Sequence, residues 1–176
     1  MAKLSCQTIA KYLQAAKSAK TTKARGTAFE SLLMYVLGRI PGVSVITRDA
    51  LNELKSEEVD IAFFNERHPK GLHYLPHFIL AECKNWSKPT GSEEISWFDT
   101  KLRNRGLSFG IFFSASGITG DRQGKTASYD IVSKALREGR QIVVLTEAEL
   151  LPISDTDEFN TLIKTKVCNL IASGSI

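Results

Sequence analysis

The segment Phe78-Ile79-Leu80-Ala81-Glu82-Cys83-Lys84 begins as an apolar strand and ends in a carboxylate and an ammonium group two residues apart. Successive side chains of a strand point to opposite faces, so Glu82 and Lys84 are predicted to share one face of a sheet. Charged groups at the end of a buried strand are costly unless they are paired or used. This strand end is therefore the candidate functional site.

A second predicted strand, 58–65, carries Asp60 among apolar residues. Two carboxylates and a lysine on adjacent strands can form a site for a hard cation. Mg²⁺ prefers oxygen ligands and keeps several waters, so Asp60, Glu82 and the backbone carbonyl of Cys83 are predicted to suffice as ligands. Lys84 would be a positioned cation or, with a lowered pKa, a base. This set predicts phosphodiester hydrolysis with Mg²⁺ or Mn²⁺ as cofactor.

The composition predicts one compact domain spanning residues 1–176, because 43% of the residues are hydrophobic and 24% are charged. The net charge of +4 only weakly favours an anionic partner, but the basic residues are concentrated. No Asp or Glu precedes Glu30, whereas this arm contains Lys3, Lys11, Lys17, Lys20, Lys23 and Arg25. The arm either follows a phosphate backbone or is a solvated helix face.

The three cysteines, Cys6, Cys83 and Cys168, are far apart and form no CxxC pair. This spacing argues against a disulfide framework or a thiolate zinc site, and it favours a reducing compartment. No apolar run approaches the length that spans a bilayer. We therefore expect a soluble cytoplasmic protein with no membrane partner.

The predicted elements follow a simple order along the chain. Helices are expected at about 5–19, 21–37, 93–105, 125–138, a short turn at 147–151 and a last helix capped by Asp155; strands are expected at 43–48, 58–65, 78–84, 109–113 and 141–146. This order predicts an α/β fold in which three strands form a meander and two more join them in a mixed sheet between helices. The N- and C-terminal helices could pair protomers in a homodimer.

Several short motifs resemble the PD-(D/E)xK nuclease superfamily. Val59-Asp60 stands where that family has Pro-Asp, Glu82-Cys83-Lys84 stands as its (D/E)xK, and the segment ending in Glu30 looks like its helix glutamate. The stretches 82–85 and 112–117 look most like Mrr-type restriction endonucleases. The resemblance covers about 23–150 and implies a restriction-endonuclease-like core, α-β-β-β-α-β-α-β, and Mg²⁺-dependent cleavage of DNA. We expect a metal-dependent endonuclease of restriction or defence.

Outside the metal ligands, Glu30 is expected to hold an outer-shell water of the metal from a helix packed on the sheet. The candidate nucleic-acid contacts are Lys23, Arg25, Trp86, Lys88, Ser114 and Ser116. Trp86 would stack on a base, and the serines would offer backbone amides to a phosphate. Trp97 is at core spacing in its predicted helix, and Lys101 is expected to be a cation suited to the helix end.

The candidate site residues also have ordinary structural interpretations. Glu82 and Lys84 can form a surface ion pair, Asp60 and Glu30 can be solvated carboxylates, and the serines can belong to a plain turn. At the level of function, the alternatives are a nucleic-acid-binding or assembly module that keeps the fold without catalysis, and a nuclease acting on RNA or branched DNA.

Overall fold

Five strands form one mixed sheet in this computed structural model, which describes residues 2–51, 58–84, 88–120 and 128–174. The strands are β1 (Val43–Leu51), β2 (Glu58–Asn65), β3 (Phe78–Lys84), β4 (Phe109–Ser114) and β5 (Gln141–Leu145). Their order in the sheet is their order in the sequence. β1, β2 and β3 pair antiparallel, whereas β3, β4 and β5 pair parallel. The predicted meander and mixed sheet are confirmed.

Six helices flank the sheet within the described residues. They are α1 (Cys6–Ser18), α2 (Thr22–Leu37), α3 (Ser92–Asn104), α4 (Ser128–Arg137), α5 (Glu147–Leu150) and α6 (Thr156–Ser173). Side-chain oxygens of Ser5, Thr21 and Asp155 accept hydrogen bonds from the first free amides of α1, α2 and α6. Such caps satisfy N–H groups that have no partner inside the helix, which explains where these helices begin.

The helices form a layer on each face of the sheet. Buried side chains of α1 and α2, with Phe159 and Ile163 of α6, pack on one face, against strand residues that include Ile79, Ala81 and Cys83. Buried side chains of α3 and α4 pack on the other face, against Leu80 and Phe112 among others. All six residues of β4 are buried, as expected for a central strand covered on both sides.

A glycine allows α3 to approach the sheet closely. A Cβ atom at Gly110 in β4 would lie 2.6 Å from the Cζ atom of Phe98 in α3, closer than two carbon atoms can pack. The absence of a side chain there lets the ring of Phe98 lie directly on β4. This contact fixes the height of α3 above the sheet, and it brings the polar side of α3 next to the end of β3.

The differences from the sequence-based boundaries are small. β1 continues past the predicted end at residue 48, because Ala50 and Leu51 still pair with β2. The predicted start of the fourth long helix, at about residue 125, lies outside the described residues.

All three cysteines are free thiols. None of the described helices is long and apolar enough to cross a membrane.

Candidate active site

Asp60 and Glu82 lie side by side on adjacent antiparallel strands. The last residue pair of the β2–β3 ladder is Ile61 with Ala81, and Asp60 and Glu82 are the next residue of each strand. Residues of α3 line the same cleft as both carboxylates, so the two carboxylates lie on the α3 side of the sheet. Both line one cleft of about 280 Å³, which we call the acidic cleft. The described residues that line it are Glu58, Asp60, Glu82, Lys84, Glu94, Trp97 and Lys101.

Glu82 is the most deeply buried charge of the acidic cleft, with 4% of the residue exposed. Its Oε1 lies 2.8 Å from the Nζ of Lys84, and its Oε2 lies 2.6 Å from the Nζ of Lys101. Burying a carboxylate is costly unless opposite charge and hydrogen bonds compensate. Two ammonium groups on one carboxylate provide that compensation, one from the same strand and one from α3.

Asp60 has an altered acidity that follows from its position. Burial first, and then the negative charge of Glu82, raise the pKa of Asp60 from 3.8 to about 6. A hydrogen bond from the Cys83 backbone N–H to the Asp60 Oδ2, 2.8 Å long, works in the opposite direction, as do the charges of Lys84 and Lys101. A carboxylate with a raised pKa beside charged partners in a cleft is typical of functional sites.

Lys84 is held in its charged form. Burial by itself would lower the pKa of Lys84, but the charge and hydrogen bond of Glu82, together with Asp60 and Glu94, raise it. The side chain is therefore an ammonium group at neutral pH. Of the two roles considered from the sequence, this favours the positioned cation over the base.

The side chain and the backbone N–H of Cys83 point to different neighbours. Its buried thiol points toward α2, and burial together with neighbouring carboxylates raises the pKa of this thiol, so it stays protonated. Its backbone N–H points to Asp60. A strand residue directs its N–H and C=O toward the same neighbouring strand, so the predicted carbonyl ligand lies on the Asp60 side of β3.

Glu30 lies in the other helix layer. It is buried on α2, and its Oε2 accepts hydrogen bonds from Arg48 of β1 at 2.8 Å from Nε and 2.6 Å from a terminal nitrogen. It is close enough to Cys83 to influence that thiol, but it is not one of the described residues that line the acidic cleft. Its predicted role toward an outer-shell water stays a prediction.

The predicted nucleic-acid contacts are scattered. Lys23 and Lys88 are exposed, Arg25 is half-buried, and its buried Nε has no hydrogen-bond partner among the described residues. Ser114 is fully buried, and its hydroxyl donates to the Gly117 carbonyl, so its side chain supports the loop after β4. Ser116 is exposed. Trp86 lies outside the described residues.

Two residues of α3 join the site although they are absent from the predicted set. Lys101 is not only a helix-end cation, because it contacts Glu82. Trp97 is 57% exposed, so the expectation of a core residue is wrong. The sequence does contain a signal. Ile95, Phe98 and Leu102 define the buried stripe of α3, Lys101 lies beside this stripe, and Trp97, four residues before Lys101, lies on the side of the helix away from it.

The oxygen atoms of Asp60, Glu82 and the Cys83 carbonyl suit a hard divalent cation that retains part of its hydration shell. The described residues contain no group of three His, Cys, Asp or Glu side chains arranged for a metal. Mg²⁺ does not need three protein side chains as ligands, since one or two carboxylates and substrate oxygens complete its coordination. The acidic cleft also combines four carboxylates with two lysines, although the whole chain has a net charge of +4. Cations are therefore attracted to this cleft.

No family model matches the chain, and no curated protein matches it either. The functional assignment therefore depends on the geometry and chemistry of the acidic cleft.

Proposed function

We propose that this protein is a metal-dependent endonuclease that hydrolyses phosphodiester bonds of DNA. The observation that carries the proposal is that Asp60 and Glu82, on adjacent strands, line one cleft, with two lysines bound to Glu82. The proposal includes a restriction-endonuclease-like core. Its support is the element order from α2 to β5, which is the α-β-β-β-α-β-α-β order that the sequence resemblance implies.

The proposed ligands of Mg²⁺ or Mn²⁺ are Asp60, Glu82 and the Cys83 carbonyl. When bound, such an ion polarises a phosphate and lowers the pKa of a water. The raised pKa of Asp60 supports this role, because two neighbouring carboxylates in a partly buried cleft are stabilised by a shared positive charge.

The lysines have separate tasks in this proposal. Lys84 stays an ammonium group beside Glu82 and offers its charge to the oxygens of the scissile phosphate. Lys101, on the opposite oxygen of Glu82, fixes the orientation of that carboxylate. Because one carboxylate is held from both sides, its geometry is set before the substrate arrives, which reduces the reorganisation needed during the reaction.

A plasmid-cleavage assay tests the proposal. Wild-type protein is incubated with supercoiled plasmid and with circular single-stranded DNA, each in Mg²⁺, in Mn²⁺ and in EDTA, beside Asp60→Asn and Lys84→Met. We expect cleavage only with a divalent ion, and a loss of about 100-fold or more in each variant. Glu66→Gln and Lys134→Met change exposed residues outside the acidic cleft and serve as matched controls. Equal cleavage by the wild type and both site variants would falsify the proposal.

One observation favours a second candidate, a nucleic-acid-binding module without catalysis. Both oxygens of Glu82 already have ammonium partners, so the carboxylate is satisfied as it stands. This candidate predicts salt-sensitive binding of nucleic acid that does not respond to divalent ions, and no cleavage. Calorimetric titration with Mn²⁺ separates the two candidates. The nuclease binds the ion, and Glu82→Gln abolishes that binding, whereas the module gives no heat in either form.

A further inference from the structure

Trp97 is an exposed indole on the wall of the acidic cleft. Residues 94, 97 and 101 of α3 are three and four positions apart, so Glu94, Trp97 and Lys101 form one stripe along the helix. Lys101 contacts Glu82 at one end of this stripe. Trp97 therefore lies one helical turn from the residue that binds a proposed metal ligand.

This position distinguishes Trp97 from other exposed apolar side chains. Ile171 of α6 is also 57% exposed, but it is not one of the described residues that line the acidic cleft. Single exposed apolar residues are ordinary on protein surfaces. Trp97 differs because the other described lining residues are all charged, so its ring is the apolar contact surface next to the proposed cleavage position.

Four of these charged residues are carboxylates, which repel phosphate groups, and the two lysines are engaged with Glu82. A strand that enters the cleft can therefore gain little from further phosphate contacts on the α3 wall. A nucleobase is neutral and has a π-face that stacks well on an indole. The stripe thus fits a base better than it fits a backbone.

We propose that Trp97 stacks on an unpaired nucleobase beside the phosphate that enters the acidic cleft, which makes the substrate single-stranded or the single-stranded arm of a branched or gapped duplex. The inference rests on the proposed nuclease function and deepens it. Bases inside an intact duplex cover one another's faces, so an indole beside the backbone reaches a base only where pairing is absent. Stacking of this kind is tolerant of sequence.

Binding is measured by fluorescence anisotropy of labelled oligonucleotides in Ca²⁺. The panel contains a single strand, a gapped duplex and a blunt duplex, each with wild type, Trp97→Ala, Trp97→Phe and Ile171→Ala. We expect Trp97→Ala to weaken binding of the single strand and the gapped duplex by about 5- to 150-fold, the usual range for one stacked base. Blunt-duplex binding should change by less than about 2-fold, Trp97→Phe should be intermediate, and Ile171→Ala should match the wild type.

Intrinsic fluorescence gives an independent readout. The chain has two tryptophans, and we expect the single strand to quench the emission of the wild type more than that of Trp97→Phe, in which only Trp86 emits. Equal weakening on single-stranded and blunt duplex DNA would overturn the inference, as would unchanged binding of Trp97→Ala. Sedimentation adds one more outcome: if wild type self-associates and Trp97→Ala does not, the indole belongs to an interface between two copies, and the stacking role is wrong.

The result separates this inference from the nuclease proposal. If Trp97→Ala binds every substrate normally while wild type cleaves and Asp60→Asn does not, the stacking role fails and the nuclease stands. If single-strand binding depends on Trp97 but nothing is cleaved under Mg²⁺ or Mn²⁺, the nuclease fails and the stacking site stands.

Discussion

Replacing Asp60 by Asn should stabilise the metal-free protein at neutral pH. The ionised carboxylate is partly buried beside Glu82, and its raised pKa means that the fold disfavours its charge. The amide has nearly the same shape, and its oxygen can still accept the hydrogen bond from the Cys83 N–H. The substitution therefore removes the charge and leaves the contact in place.

The size of the effect follows from the pKa of Asp60. A rise from 3.8 to about 6 corresponds to a free energy of about 3 kcal/mol, at about 1.4 kcal/mol for each pKa unit. Below pH 3.8 the group is protonated in both the folded and the unfolded state. As the pH rises toward 6, the unfolded chain releases this proton first, so the stability of the wild type falls. Well above pH 6 the ionised Asp60 destabilises the folded wild type by the full amount.

Urea denaturation in EDTA at two pH values measures the difference in the free energy of unfolding between Asp60→Asn and wild type. Relative to wild type, Asp60→Asn should gain about 3 kcal/mol in the free energy of unfolding at pH 8 and only about 1 kcal/mol at pH 4.5. Burial is the largest cause of the raised pKa of Asp60, and the charged groups that also act on it, Glu82, Lys84 and Lys101, are unchanged in the variant.

Glu66→Gln, an exposed carboxylate outside the cleft, is the matched control and should change stability by less than about 0.5 kcal/mol. A variant that is no more stable than wild type at pH 8, or whose gain is the same at both pH values, would refute the reasoning. In that case the fold tolerates the charge of Asp60, and the cleft holds no unfavourable negative charge for the proposed metal ion to compensate.

Three further substitutions, each measured by urea denaturation, test local contacts and backbone geometry in the fold. Gly110→Ala should cost about 2 kcal/mol, because the new Cβ would lie 2.6 Å from Phe98. Gly26→Ala should add about 0.5–1 kcal/mol, since the nearest atom beyond the helix's own backbone would be 3.6 Å away and alanine favours a helix. Arg140→Ala should cost about 3 kcal/mol, because Asp99 would lose a two-point ion pair, with distances of 2.7 and 3.0 Å.

Each of these substitutions has an outcome that would contradict it. A Gly110→Ala protein as stable as wild type would mean that α3 is not held against β4 as closely as the structure indicates. Destabilisation by Gly26→Ala would reveal a close neighbour at that turn. Recovery of full stability in Arg140→Lys would show that the two-point geometry is unimportant, since lysine cannot reproduce it.

The sequence by itself determined where the five strands lie along the chain and that the first three form a meander. β2 and β3 have the predicted bounds because alternating or continuous apolar residues, bounded by turn residues, are local signals. The same alternation places Glu82 and Lys84 on one face. The antiparallel pairing of β2 with β3 then brings Asp60 into the same cleft as Glu82, which is why the two carboxylates of the site could be predicted.

Only the tertiary structure decided what surrounds those carboxylates. Lys101 is 19 residues from Glu82, and their contact depends on how closely Phe98 packs on Gly110, which no local pattern reports. The burial of Ser114 and the exposure of Trp97 likewise depend on which surfaces the helices cover. The pKa of Asp60 is a property of the assembled cleft, because burial and electrostatic interaction act through space between residues that are distant in the chain.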